Sequence, residues 1–171
     1  MVAACMHRDV TKTMAAVNFD AIDLRLLAEL QDNGRITNVE LATKVGLTAP
    51  PCLRRMRTLE QSGAIKGYHA VVDPASLGYS IMVFAMVSLK SQAEADLKAF
   101  ETHVRSLPEI RECHMLNGEI DFILKIVAHD LQSFQEFLTS KLTAAPNVSS
   151  VKTSLTIRTA KDEPGVPIEL P

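Results

Sequence analysis

The sequence predicts an α+β fold in two parts, a three-helix N-terminal half followed by a βαββαβ unit. Three observations predict it. Apolar residues recur at helical spacing up to residue 61, they alternate at strand spacing from Ile81 onward, and an Asn-Gly pair stands between two strand-like runs. The 171 residues are 47% hydrophobic and 22% charged, the composition of a chain that folds throughout, with room for two small domains. The expected division is a flexible leader over residues 1–17, a helical domain over 18–73, a linker over 74–80, an α/β domain over 81–160 and a tail over 161–171. Met14 is a second candidate start.

Each helix carries its own boundary signals. Asp20 is placed to cap a helix over about residues 21–31, with Asp23 three residues on and Ile22, Leu26 and Leu30 on one face. Asp32-Asn33-Gly34 stops it. Thr37 and Glu40 form a T-x-x-E capping box for the second helix, in which Leu41 and Val45 point inward, and Gly46 takes the left-handed turn. The third helix runs from Thr48, read as its N-cap, to Gln61. Pro50 and Pro51 are tolerated there because first-turn N–H groups have no intrahelical partner. Gly63 ends it, and Ala64–Asp73 is a short β-prone stretch expected to form a small wing.

The second half changes period. Ile81–Lys90 is a strand with Ile81, Val83, Ala85, Val87 and Leu89 on one face; Ala93–Leu107 is a helix with Leu97, Phe100 and Val104 inward. Glu109–Leu116 and Glu119–Val127 are strands that Asn117-Gly118 would join as a type I′ hairpin. Asp130–Ala144 is a helix with Leu131, Phe134, Phe137, Leu138 and Leu142 inward, and Val148–Arg158 is the last strand. This order predicts a ferredoxin-like, four-stranded antiparallel sheet backed by two helices. The tail, rich in Pro and acids, is read as mobile or partner-docked.

Composition removes several functions. The longest uncharged apolar run, Ser80–Leu89, is half the ~20 residues a membrane helix needs. With no Trp and two Tyr, base stacking on single strands has little to work with. Cys5, Cys52 and Cys113 form no CxxC pair, which fits a reducing cytoplasm better than a disulfide framework or zinc site. Net charge is −2, but residues 1–73 hold 9 Lys and Arg against 8 acids, and residues 74–171 hold 9 against 12. The basic residues of the first half cluster on the third helix. At about 100° per residue, Cys52, Leu53, Met56 and Leu59 share one face, Pro50, Pro51, Arg54 and Thr58 the opposite one, and Arg55 and Arg57 the flanks. Such a helix fits the major groove, where Arg meets guanine edges or phosphates. The alternative is a solvated face, or ion pairs with nearby acids, and for Arg55 an ion pair is as good a reading as a DNA contact.

Residues 19–79 carry DxxDxxLL, NGRITNVELA, VGLTxxPCLRRxxxLExxGxIxGY and DPxxLGY, and residues 107–131 read LPEIRECHMLNGEIDFILKIVAHDL. Over about residues 19–160 the chain resembles the leucine-responsive regulatory protein / AsnC family of transcription regulators. The resemblance implies a winged helix-turn-helix that binds double-stranded DNA, an α/β domain that senses a small effector, usually an amino acid, and assembly into homodimers and octamers. A dimer would set two recognition helices about 34–36 Å apart on a near-palindromic site. Carried over by residue, Thr48, Pro50, Pro51, Arg54 and Arg57 would lie at the DNA, with Arg55 and Thr58 beside them, and Asn38, Lys66 and His69 would reach the backbone. Pro50 stands where the family usually has Ser or Thr. The effector site would fall on Leu116, Asn117, Gly118, Glu119 and Asp121, where turn N–H groups suit a carboxylate and an acid suits an ammonium; its alternative is a plain hairpin.

An enzyme is not predicted. Cys113 and His114 are neighbours on a strand and point to opposite faces. The five His have no metal spacing, and no P-loop, GxGxxG or GxSxG is present. No cofactor is called for. Two alternatives share the layout: a siroheme-decarboxylase-like enzyme, for which His114 or His69 would be tested, and an amino-acid sensor that does not bind DNA.

Overall fold

A computed structural model of the chain describes residues 18–170; the expected leader, with Met14, lies outside the described residues. The chain divides into two compact units, one of residues 18–70 with 163–170, the other of residues 71–162.

In the first unit, α1 (Ala21–Asp32), α2 (Asn38–Val45) and α3 (Ala49–Gln61) enclose Leu26, Leu30, Leu41, Ala42, Val45, Cys52 and Leu59. Both predicted capping boxes are formed. Asp20 accepts the N–H groups of Ile22 and Asp23 at 2.9 and 2.8 Å, and Asp23 accepts that of Asp20. Thr37 accepts the N–H of Glu40, whose carboxylate returns to the Thr37 N–H at 3.0 Å. Gly46 takes φ +74°, and the Leu47 N–H closes onto the Ala42 carbonyl at 2.8 Å. Behind α3 the β-prone stretch forms no ladder. Ala64 and Ile65 pack on the helices and residues 66–73 run exposed without regular structure, because every other element of this unit is a helix and a lone strand has nothing to pair with.

The caps make this unit acid-sensitive. The Asp23 N–H, and then Arg55, hold the Asp20 carboxyl below its ordinary value, and Thr37 does the same for Glu40. A depressed folded pKa means stability that is present above the ordinary carboxylate range and lost as pH falls through the lowered values. Helical circular dichroism melts should hold a steady midpoint from about pH 7 to about pH 5 and lose it steeply below about pH 4; a midpoint flat through that lower range would contradict the assignment.

Near the start of the second unit, the Asp73 carboxylate accepts the N–H groups of Ala75 and Ser76 at the start of a short 3₁₀ turn. The predicted linker is thus folded, and Tyr79 stacks on His129 with ring centroids 4.2 Å apart. The order then is β1 (Ile81–Leu89), α4 (Glu94–Arg105), β2 (Ile110–Met115), β3 (Phe122–Ala128), α5 (Leu131–Phe137) and β4 (Val148–Leu155). The antiparallel sheet has the order β2-β3-β1-β4. Val83, Ala85 and Val87 pair across from Ile126, Leu124 and Phe122, so the alternating apolar faces of the two central strands coincide. Their buried side packs on Leu97, Phe100, Val104, Phe134, Phe137 and Leu142.

Two expectations fail here. The helix after Asp130 is α-helical only to Phe137 and then widens to a π turn over Leu138–Leu142; Leu131, expected inward, opens the helix and is 61% exposed. The tight type I′ turn at Asn117-Gly118 is also absent, although β2 and β3 do pair antiparallel. The strands stop at Met115 and resume at Phe122, and Gly118 is not among the glycines with positive φ. The cause lies at the end of the loop. The Asp121 N–H donates to the Val87 carbonyl at 3.0 Å, while its carboxylate accepts from the Leu89 N–H at 2.6 Å and from Gln92 Nε2 at 2.7 Å. These bonds draw the chain onto the β1–α4 connection before a two-residue turn can close.

Candidate DNA-reading helix and effector loop

The site on α3 follows from its first turn. Thr48 has the extended backbone of an N-cap but makes no side-chain capping bond. The second and third helical residues, which would donate to it, are Pro50 and Pro51, and proline has no N–H. Thr48 is thus the N-cap by position, as expected, without a side-chain bond. This leaves the exposed hydroxyl uncommitted to the helix, and leaves Ala49 alone with a first-turn N–H to offer an anion.

The arginines divide. Arg55 turns back to α1 and bonds Asp20 and Asp23 at 2.7 and 2.8 Å, which makes it an internal tie between helices. Arg54 and Arg57 are exposed and, among the described residues, have no ion-pair partner. With Pro50, Leu53, Thr58 and Gln61 they line an open groove along the outer face. Thr58 donates its hydroxyl to the Arg54 carbonyl at 3.1 Å. Asn38 is not projected outward: its Nδ2 donates to the Ala49 carbonyl at 2.9 Å, tying α2 to the start of α3. Lys66 and His69 are exposed on the irregular arm after α3. Tyr68, which sequence reading passed over, anchors that arm by donating its hydroxyl to Glu60 at 3.1 Å; burial, then Glu60, pushes its pKa up to about 12.

The loop of residues 116–121 is closed by the Leu116 N–H on the Asp121 carbonyl at 2.8 Å. Leu116, Asn117, Gly118 and Glu119 are exposed, and among the described residues the N–H groups of the last three have no main-chain acceptor. Asp121 is different. It is 7% exposed, and its carboxylate oxygens already accept from Leu89 and Gln92. Gln92 is the partner that sequence reading missed. His114 sits on the edge strand β2, 3.4 Å from Glu112, and Cys113 is held up to about pKa 11 by burial.

A helical unit with two guanidinium groups that lack an ion-pair partner among the described residues, joined to a four-stranded α/β sandwich, has the layout of a helix-turn-helix protein with a second unit. Residues 19–66 match the family model for winged helix-turn-helix DNA-binding, and residues 82–166 that for the Lrp/AsnC ligand binding domain. A leucine-responsive regulatory protein of Rhizobium meliloti (strain 1021) is 55% identical over 146 residues, 85% of this chain and 94% of that one. That of Escherichia coli (strain K12) is 38% identical over 151 residues, 88% and 92% of the two chains. Among solved structures, a Neisseria meningitidis transcriptional regulator in complex with L-Met superposes with a TM-score of 0.84 at 33% identity, covering 88% of this chain and 97% of that one. An AsnC family regulator from Agrobacterium tumefaciens gives 0.82 at 28%, covering 87% and 97%. The chain belongs to the Lrp/AsnC family of DNA-binding transcriptional regulators with a ligand-binding domain.

Proposed function

We propose that the protein is a cytoplasmic, non-catalytic regulator that works as a homodimer or a higher assembly such as an octamer, and that α3 reads operator DNA. The observation that carries this reading is the pair of exposed guanidinium groups of Arg54 and Arg57, which have no ion-pair partner among the described residues. Thr48, Pro50, Pro51 and Thr58 flank them on the same face, the Thr48 hydroxyl for a phosphate and the proline rings for apolar contact with thymine methyls. Lys66 and His69 serve the backbone. Arg55 and Asn38 hold α3 in place.

The effector is an amino acid bound at the loop of residues 116–121, as the L-Met complex of the Neisseria meningitidis relative supports. The N–H groups of Asn117, Gly118 and Glu119 receive its carboxylate and the Glu119 side chain its ammonium, while Leu116 supplies apolar cover. Asp121 positions the loop from behind.

The test is fluorescence anisotropy on the DNA upstream of the chain's own gene, repeated with each of the twenty amino acids and paired with thermal melts. The expected result is salt-dependent binding that one or a few amino acids change by about 5–150-fold, the usual size of such coupling. Binding and melting that no amino acid alters would overturn the effector assignment.

A further inference from the structure

The acidic, proline-bearing tail has a place of its own. After β4 ends at Leu155 the chain runs on, and residues 163–170 belong with the helices of the first unit. There the Gln31 side chain, on the last turn of α1, grips one tail residue at two points: Nε2 donates to the Val166 carbonyl at 2.8 Å, and Oε1 accepts the Val166 N–H at 3.1 Å. A primary amide is the side chain that matches one main-chain donor and acceptor at once, as a neighbouring strand would.

The tail sequence is built for this grip. Gly165 takes φ +81°, a conformation that costs glycine little, and a Cβ placed on it would stand 2.1 Å from Gln31 Oε1. Gln31 is flexible and would move aside, but the movement would break both bonds. Pro164 and Pro167 flank the gripped pair, stiffening it and removing competing N–H donors. Ile168 is half-buried while its neighbours are exposed. Left-handed glycine, absent Cβ, paired amide and flanking prolines all specify the same seat.

We propose that residues 163–170 form a clasp on α1. With the tail clasped, the chain passes between the two units twice, at residues 70–71 and 162–163, and hydrogen bonds hold the second passage to α1. Docking of a segment on its own chain needs little intrinsic affinity, since its effective concentration is of order millimolar. A doubly tethered reader has less orientational freedom to lose when two protomers engage one operator.

Two measurements on the full chain test this, and the second rests on the dimeric DNA reading proposed above. The first is hydrogen–deuterium exchange of the tail in wild type, Gln31→Ala and Gly165→Ala. Val166 should exchange about tenfold or more slower than a free peptide in wild type and at the peptide rate in both variants. Free-peptide exchange in wild type would overturn the clasp, and protection that rises with protein concentration would overturn seating on its own chain in favour of a second copy. The second is operator affinity. Gln31→Ala, and a chain ended at Asp162, should each lose about three- to tenfold on a duplex with two half-sites and nothing on a single half-site. Equal affinity on both duplexes, with the exchange result intact, would overturn the tether role. A wild type that binds no DNA would overturn the function proposed above and the tether with it, while exchange still decides the clasp.

Discussion

Replacing Arg54 and Arg57 together by alanine is expected to weaken operator binding by about 2–6 kcal/mol, or some 30-fold to more than 10⁴-fold, since an arginine that reads a base contributes about 1–3 kcal/mol. The sum applies because neither group has a partner within the described residues, so the folded chain loses no internal bond when they go. Salt separates the two ways they can act. Each phosphate contact removed should flatten the slope of log affinity against log salt by about 0.9, and should cost the same on every sequence. A lost base contact should cost more on the operator than on random duplex, with the slope kept. Arg55→Ala is the internal control. It removes the bonds to Asp20 and Asp23, so it should lower the melting midpoint by a few degrees and leave the salt slope unchanged. Anisotropy titrations from about 50 to 300 mM salt decide among these. Operator affinity that the double variant keeps at every salt concentration would remove α3 as the reader.

The same helix explains how far the sequence could be read. Periodicity placed most of the faces of α3, since Cys52 and Leu59 are buried and Arg54 and Thr58 exposed, but Leu53, expected inward, lines the outer groove beside Arg54. Local signals also fixed both capping boxes and the Gly46 turn, because each depends only on residues within about four positions. What failed depends on distant partners. Arg55 sits on the flank of the wheel, and only the neighbouring Asp20 and Asp23, over thirty positions away, decide that it turns inward. Asn38 faces Ala49 for the same reason. The Asn-Gly pair has the right local chemistry for a tight hairpin, yet bonds from Asp121 to β1 and Gln92 override it. The seat of Val166 on Gln31 spans 135 positions and leaves no periodic trace.

Asp121→Ala is expected to separate sensing from DNA reading. The carboxylate is buried, and its removal strands the Leu89 N–H and the Gln92 amide, which otherwise fasten the loop of residues 116–121 to the β1–α4 connection. A buried donor left without its acceptor costs about 1–3 kcal/mol, so the melting midpoint should fall. The larger effect is on coupling. Freed from its anchor, the loop no longer presents the N–H groups of Asn117, Gly118 and Glu119 in one arrangement, and the ordering that binding requires is added to the cost of the effector. A 5–150-fold effector response should therefore collapse towards one. DNA affinity without effector should stay near wild type, because Arg54 and Arg57 belong to the other unit. Asp121→Asn should fall between the two: its amide oxygen can still accept from Leu89, while its NH₂ meets the Gln92 side chain, which must turn its own oxygen inward to keep the bond. Full amino-acid dose responses, read on wild type and both variants at a temperature where all are folded, make the distinction. A response unchanged in Asp121→Ala would place the effector elsewhere on the sandwich and reduce Asp121 to a residue that supports the fold alone.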